Sequence, residues 1–257
     1  MSVFLDSQEI SYFRESGKRL TKVLDSLEQL LLPGKAPYEI ETQARSLIAA
    51  EGDVPAFLGY KPHGAPRPYP AALCFAVNDE VVHGIPHEDK PPLAEGDIVT
   101  IDLGLSHRGF ITDAARSLAV GAHNENTHQF LRAGREALAQ GIRAAYAGKH
   151  IGDISHAIEQ SVASTPYVII RELGGHGVGR SVHEDPFIPN VGRPGSGERL
   201  VPGMALAIEV MLAEKGNGRI IVDKDGYTIR TQGGERSIQC EHTILIKETG
   251  EPEIIAR

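Results

Sequence analysis

Apolar residues recur along this chain at two spacings, which predict where its helices and strands lie. A spacing of three and four residues is typical of amphipathic helices. It predicts four of them, over 8–32, 38–50, 125–147 and 153–164. Pro33-Gly34 ends the first, and Pro37 lies near the first turn of the second. Asn124 and Asp153 are the predicted N-caps of the last two.

Shorter apolar runs predict strands, and the polar breaks between them predict turns. These runs lie at 73–77, 98–121, 203–214, 219–231 and 237–248. The second and fourth have the pattern of hairpins, turning at His107-Arg108-Gly109 and at Lys224-Asp225-Gly226. A Pro-rich loop is predicted over 53–70, and a polar connector over 87–97. Helices and strand groups alternate in two halves that divide near residue 121.

Composition narrows the class of protein. A length of 257 residues with 41% hydrophobic and 23% charged residues is typical of a globular protein with a sizeable core. The net charge of -8, without a basic stripe, argues against a nucleic-acid partner. The chain shows neither a signal-peptide pattern nor the roughly 20 apolar residues that span a membrane. We therefore expect a cytoplasmic protein without a membrane partner, in which Cys74 and Cys240 are free thiols.

Two aspartates lie inside the apolar hairpin over 98–121. A turn near His107-Arg108 would place Asp102 and Asp113 roughly opposite one another on the two strands. Facing carboxylates repel and destabilise a strand pair. A bound cation would explain the pair, whereas the alternative is that one aspartate ends its strand early and is solvated.

Three more polar residues lie where packing does not explain them. Glu209 and Glu241 each interrupt a nearly continuous apolar strand, which is costly unless the carboxylate is paired or metal-bound. His176 lies among glycines, which allow a metal or a substrate to approach closely, although an irregular glycine loop is the alternative. His242 faces away from Glu241 by strand alternation and is interpreted as structural.

These residues form an oxygen-rich candidate set for metal binding, namely Asp102, Asp113, His176, Glu209 and Glu241. Such a set disfavours a structural zinc site and suits two divalent ions such as Mn, Fe(II) or Co. Two ions that share a water lower its pKa and polarise a carbonyl, which indicates a hydrolase. His83 and His183 could then hydrogen-bond the substrate. The chain has no GxSxG motif for a serine triad, and its cysteines lie in strand-like runs.

Five motifs together resemble the type I methionine aminopeptidases of the pita-bread metallopeptidase superfamily. They are VNDEVVHGIP at 77–86, IDLG…ITDAARS at 101–117, GHGVGRSVHEDP at 175–186, AIEVM at 207–211 and QCEHTILI at 239–246. The resemblance covers about Gln8 to Lys247. It implies an α+β fold, with two pseudo-twofold related αβ halves around a curved antiparallel sheet and helices on the outer face. It also implies a single catalytic domain over residues 1–257.

The resemblance implies a role for each candidate residue. Asp102, Asp113, His176, Glu209 and Glu241 match the five ligands of two metal ions. His83 matches the histidine that contacts the scissile amide, His183 the one near the substrate carbonyl, and Glu209 also matches the proposed proton shuttle. The implied reaction is removal of the initiator methionine from polypeptides whose second residue is small, through a hydroxide that bridges the two ions.

The chain departs from the family pattern near the substrate pocket. Val210 stands where Pro is usual, Ala114 where Thr or Ser is frequent, Tyr227 where Trp is common and Val182 where Phe is frequent. The loop over 61–68 is longer than usual. The predicted wall of the methionine pocket is Tyr60, Tyr69, Cys74, Val182 and Tyr227, with Phe57 at its edge. The aromatic residues of the loop have an alternative role as anchors on the core.

Two other functions are compatible with this resemblance. One is a related Xaa-Pro aminopeptidase or prolidase, although those usually carry an additional N-terminal domain. The other is a non-catalytic binding protein on the same fold, which would be expected to have lost metal ligands. The expected partners are the N-termini of newly made polypeptides, near the ribosome, and the expected state is a monomer.

Overall fold

Ten strands of the protein form one antiparallel sheet in this computed structural model, which describes residues 2–4, 6–62, 64–65, 67–87 and 89–257. Positions 63 and 66 of the predicted loop and position 88 of the predicted connector lie outside the described residues. The helices are α1 (Ser7–Glu28), α2 (Pro37–Ala50), α3 (Glu125–Ala144) and α4 (Ile151–Ala163). Among the described residues, no helix combines the length and apolarity that a membrane span needs.

The strands follow the chain in two groups. The first group is β1 (Val54–Pro55), β2 (Leu73–Val77), β3 (Glu80–Val82), β4 (Ile98–His107) and β5 (Phe110–Ala119). The second is β6 (Val168–Ile169), β7 (Gly174–Gly177), β8 (Glu184–Pro189), β9 (Ala205–Ala213), β10 (Ile220–Val222), β11 (Ile229–Thr231), β12 (Ser237–Leu245) and β13 (Glu253–Ala256). The large sheet has the order β1-β4-β5-β12-β9-β7-β8, with β2 beside β4, β6 beside β9 and β13 beside β12. A small sheet has the order β10-β11-β3.

Each half of the chain contributes two helices and a central strand pair. The first half packs α1 and α2 against β2 and β4 through Leu20, Leu24, Phe75 and Ile101. The second packs α3 and α4 against β9 and β12 around Ile158. The halves meet where β5 pairs with β12. The predicted α+β architecture of two halves around an antiparallel sheet is therefore confirmed.

Three helix boundaries differ from the predictions. The first helix ends at Glu28, four residues before the predicted end, and the third ends at Ala144 rather than at 147. The predicted N-cap Asp153 is wrong, because His150 occupies that position and α4 begins at Ile151. Asp153 instead lies in the first turn, where its Oδ2 accepts a hydrogen bond from the backbone N–H of His150 at 2.8 Å. An acidic residue three positions after the N-cap completes a capping box.

The turn between β4 and β5 contains two residues rather than the three that the sequence predicted. His107 pairs with Phe110, and Arg108 and Gly109 both have positive φ, 53° and 84°, as a two-residue type I′ turn requires. In this register Asp102 pairs with Ala115, and Asp113 pairs with Gly104. The sequence predicted that Asp102 and Asp113 lie roughly opposite one another; in the structure they are offset by two residues, as diagonal neighbours on one face of the sheet.

Glu41 ties helix α2 to the start of β2. Its carboxylate accepts hydrogen bonds from the backbone N–H groups of Ala72 and Leu73, both at 2.8 Å, and pairs with Arg45. Ala72 and Leu73 are fully buried, so these two N–H groups depend on Glu41 for their hydrogen bonds. Glu41 thus holds the chain where it enters the sheet.

We expect Glu41→Ala to lower the free energy of unfolding by about 2–6 kcal/mol, because each of the two buried donors left unpaired costs about 1–3 kcal/mol. Glu41→Gln keeps one acceptor and should cost about half as much. Gln43→Ala, at an exposed position of the same helix, is the control and should stay within about 0.5 kcal/mol of the parent. Urea unfolding of metal-free protein measures all three; equal stability of the Glu41→Ala and Gln43→Ala variants would contradict this role.

Candidate metal centre

The five predicted ligands come from five neighbouring strands of the large sheet. Asp102 lies on β4, Asp113 on β5, Glu241 on β12, Glu209 on β9 and His176 on β7. The helices cover the opposite face, because the alternate residues of the same strands, among them Ile101 and Cys240, belong to the helix-packed cores. The sheet thus has an apolar face toward the helices and an acidic face away from them.

Strand register arranges the ligands in two parallel rows across this acidic face. One row runs Asp102, Ala115, Glu241 and Glu209, each paired with the next. The other row is displaced by two residues along β5, β12 and β9, and it runs Asp113, Thr243, Ala207 and His176. In this row Ala207 pairs with Thr243 on one side and with His176 on the other. An alanine thus lies between longer polar side chains in each row.

Two groups of ligand atoms converge where the rows meet. Asp102, Glu209 and Glu241 offer atoms that all lie within 4.8 Å of one another, and so do Asp113, His176 and Glu241. His176 Nε2 lies 3.9 Å from Asp113 Oδ2 and 3.7 Å from Glu241 Oε1. Glu241 belongs to both groups. The structure therefore brings together all five residues that the sequence predicted as ligands.

Unpaired oxygen atoms show that this cluster fits cations. Asp102 Oδ1, Asp113 Oδ1 and Glu241 Oε1 are buried and have no hydrogen-bond partner among the described residues. Buried polar atoms are rarely left without partners, since each one costs free energy. Carboxylate oxygens and an imidazole are also the donors that divalent ions of the Mn, Fe(II) and Co type accept. The residues present thus fit divalent metal ions.

Burial sets the protonation of the cluster. Loss of hydration raises the pKa of Asp102 to about 6. Burial and then repulsion from neighbouring carboxylates raise the pKa values of Asp113, Glu209 and Glu241 well above their usual range. Burial has the opposite effect on His176 and lowers its pKa to about 3. His176 is therefore neutral at pH 7, which is the form of histidine that binds metals.

The two additional histidines flank the cluster. His83 follows strand β3, and burial, followed by the nearby His183, lowers its pKa to about 4. His183 lies just before β8, with its ring 4.5 Å from that of His176, and its Nδ1 is 3.1 Å from the Tyr60 hydroxyl. Both imidazoles are therefore neutral at pH 7 and can donate or accept a hydrogen bond.

A cavity of about 670 Å³ opens onto the cluster and the two histidines. All six residues predicted as its wall line it, namely Phe57, Tyr60, Tyr69, Cys74, Val182 and Tyr227. Tyr69 and Tyr227 are also buried against Phe57, so the aromatic residues of the loop both anchor it and form the wall. Sequence reasoning missed Val82, Leu173, Phe187 and Met211 as lining residues, because distant segments bring them to the cavity.

Gln239 is a polar neighbour of the cluster that sequence reasoning also missed. It is fully buried, and its Nε2 donates to Asp102 Oδ2 at 3.2 Å and to Glu209 Oε1. Gln239 precedes Glu241 by two residues on one strand, so both side chains face the same way. A polar residue two positions before a buried Glu in an apolar strand is the signal that could have identified it.

Two of the departures from the family pattern lie away from the cavity. Val210 belongs to the core beneath α3 and α4, and Ala114 to the core beneath α1 and α2. Both face the helices, opposite to the carboxylates. Val182 and Tyr227, in contrast, line the cavity, so any change in specificity is to be sought there.

Titration of the carboxyl groups predicts how metal-free protein responds to pH. Raised pKa values mean that the folded chain binds more protons than the unfolded chain, so its free energy of unfolding falls as pH rises. The buried histidines oppose this effect, but only below about pH 6.5. We expect the melting temperature of metal-free protein to fall by roughly 5 °C between about pH 6.5 and 8.5, and Mn²⁺ to remove the fall.

Asp113→Asn should make this pH dependence shallower, because it removes one carboxyl group with a raised pKa. Asp25→Asn is the matched control, since Asp25 is exposed and pairs with Arg116 at the surface. Differential scanning calorimetry measures the melting temperatures. A melting temperature that is constant or rises with pH would contradict the assignment.

Comparison with known proteins identifies the family. Residues 11–248 match the model of metallopeptidase family M24. A methionine aminopeptidase of Clostridium acetobutylicum is 36% identical over 99% of this chain and 98% of its own length. One of Aquifex aeolicus is 39% identical over 97% of both chains. The crystal structure of methionine aminopeptidase from Thermotoga maritima matches all of both chains, at 39% identity and a TM-score of 0.93.

A more distant likeness concerns the fold alone. The prolidase of Pyrococcus furiosus has a TM-score of 0.76 at 20% identity, and the match covers 100% of this chain but 66% of the prolidase. The whole-chain match to methionine aminopeptidase structures confirms the pita-bread fold expected from the sequence motifs. The chain belongs to metallopeptidase family M24.

Proposed function

We propose that this protein removes the N-terminal methionine from polypeptides whose second residue is small, with two divalent ions bound on the acidic face of its sheet. Its activity class is that of the methionine aminopeptidases that match it over nearly their whole length. The observation that carries the proposal is the pair of ligand groups sharing Glu241 at the floor of the cavity. Two groups that share one carboxylate suit two neighbouring ions.

Each of the two groups of ligand atoms would hold one ion. Asp102, Glu209 and Glu241 would hold one ion, and Asp113, His176 and Glu241 the other. The chemistry that such ions would supply when bound is polarisation of the scissile carbonyl and a lowered pKa of the attacking water. Four carboxylates balance the charge of two divalent ions, which would remove the repulsion among these carboxylates.

The side chains above the cluster bind and orient the substrate. His83 Nε2 or Nδ1 would hydrogen-bond the scissile amide, and a neutral His183 would donate to the substrate carbonyl. The cavity wall of Tyr69, Cys74 and Tyr227 excludes water and provides an apolar surface for the methionine side chain.

Glu209 is the residue that would move a proton. Its Oε1 accepts a hydrogen bond from Gln239, which leaves Oε2 to take a proton and pass it to the leaving amine. Gln239 also fixes the rotamer of the carboxylate by bridging it to Asp102. Glu209 thus contributes both a ligand atom and a proton acceptor.

Three finer inferences accompany this proposal. We infer that the ions are Mn, Fe(II) or Co, since a set of four carboxylates and one imidazole accommodates each of them. We infer that residues 1–257 act as a single catalytic domain, because all five strands with ligands belong to one sheet. We also infer a cytoplasmic monomer that acts near the ribosome, where the N-termini of newly made polypeptides emerge.

Turnover of a Met-Ala-Ser peptide by metal-free protein reloaded with Mn²⁺, Fe²⁺ or Co²⁺ in turn tests the function. We expect release of free methionine with at least one of these ions and little release from a Met-Leu-Ser peptide. Cleavage of Xaa-Pro peptides with no release of methionine would overturn the proposal in favour of a prolidase. No turnover of either substrate class by metal-loaded protein would favour a non-catalytic binding protein.

Replacement of a single ligand tests the assignment of the metal site. We expect Asp113→Asn to lower kcat/KM by at least about 100-fold, because even residues that only orient ligands cost about 10–100-fold when removed. The matched surface variant Asp25→Asn should keep the parent activity within about twofold. Peptide kinetics at saturating Mn²⁺ make the comparison, and equal losses in the two variants would refute the assignment.

A further inference from the structure

The carbonyl group of Gly84 accepts two hydrogen bonds behind the wall of the cavity. The backbone N–H of Phe75 donates to it at 2.8 Å, and so does the Tyr69 hydroxyl at 2.8 Å. Gly84 is buried. A side chain there would collide with the carbonyl group of Phe75, so the close approach requires glycine. The segment that follows β3 is thereby held from two directions.

His83, the residue before Gly84, needs such support. Its φ is 59°, in the left-handed region that side-chain-bearing residues rarely adopt. Conformations of this kind persist only where the surrounding structure holds them. The backbone conformation of His83 determines where its imidazole enters the cavity. Anything that fixes the peptide after His83 therefore also fixes the imidazole.

Tyr69 is itself rigidly placed. Its side chain is 5% exposed, and its ring packs edge-on against Tyr227 with the centroids 5.2 Å apart. A second acceptor, the carbonyl oxygen of Leu73, lies farther from the hydroxyl at 3.3 Å. Because a hydroxyl has one proton, the shorter contact to Gly84 is the stronger hydrogen bond.

We propose that Tyr69 is a positioning residue, whose hydroxyl holds the Gly84 carbonyl and so presents His83 to the substrate. This inference rests on the proposed function, in which His83 contacts the scissile amide. It goes beyond the role of Tyr69 as part of the cavity wall. The ring provides the wall, whereas the hydroxyl acts on a carbonyl group outside the cavity lining. The two roles can therefore be separated by removing the hydroxyl alone.

Tyr69→Phe keeps the ring and removes the donor. For a Met-Ala-Ser peptide we expect kcat to fall about tenfold while KM changes by less than about twofold, since the hydroxyl acts through His83 and the wall remains. Tyr38→Phe, on the exposed face of α2, is the matched control and should keep the parent kinetics. A rise in KM with unchanged kcat would overturn the proposal and leave Tyr69 as wall alone.

A double-mutant cycle tests whether Tyr69 acts through His83. In a His83→Ala background, Tyr69→Phe should have no further effect on kcat, because the group that it positions is already absent. Independent losses that multiply in the double variant would overturn the proposal. Replacement of Tyr69 by 4-aminophenylalanine restores a donor at the same place and should restore kcat. If Tyr69→Phe fails to fold, the 4-aminophenylalanine variant serves as the test. A kcat about tenfold below that of the parent, despite the restored donor, would then refute the role.

A measurement without substrate separates this proposal from the proposed function. The imidazole C–H resonances of His83, assigned by their loss in His83→Ala, should shift or broaden in Tyr69→Phe because the ring samples other positions. Unchanged resonances would overturn the positioning role even if turnover falls. If the parent protein cleaves no peptide, the proposed function fails, and these spectra still decide whether Tyr69 holds His83.

Discussion

Four carboxyl groups buried on one face of one sheet cannot all be charged unless positive charge lies among them. Asp102, Asp113, Glu209 and Glu241 share this face. Burial raises the pKa of each, and repulsion from neighbouring carboxylates adds to this for Asp113, Glu209 and Glu241. The free energy that this arrangement costs is large enough to need compensation, and divalent ions supply it. The proposed metal site is therefore also a place where metal-free protein carries buried carboxyl groups without compensating charge.

The rest of the structure serves this arrangement. Strand alternation sends every second residue of β4, β5, β9 and β12 to the helix-packed cores, which leaves the other face free for polar groups. The small residues Ala115 and Ala207 lie between the longer side chains of the two ligand rows. From the same strand as Glu241, Gln239 holds the carboxylates of Asp102 and Glu209, and the Thr243 hydroxyl donates to the backbone carbonyl of Asp113. Above this floor, Tyr69 and its neighbours shape the cavity and fix the approach of His83.

The sequence was most informative where a polar residue interrupts an apolar strand. Such interruptions predicted Glu209 and Glu241, and glycines around His176 pointed to close approach. Register was less predictable, because the turn is centred on Arg108-Gly109 rather than on His107-Arg108, which makes Asp113 a diagonal neighbour of Asp102. The N-cap at Asp153 was misplaced since acidic residues suit both the cap and the first turn. Cavity residues such as Phe187 could not be predicted, because their positions depend on how distant segments pack.

Proton release on metal binding tests the central claim most directly. Titration of metal-free protein with Mn²⁺ at pH 7, in buffers of different ionisation enthalpy, yields both the number of ions bound and the number of protons released. If the buried carboxyl groups hold protons until cations replace them, saturation at two ions should release more than one proton per chain. Binding of two ions with no net release of protons would contradict this account.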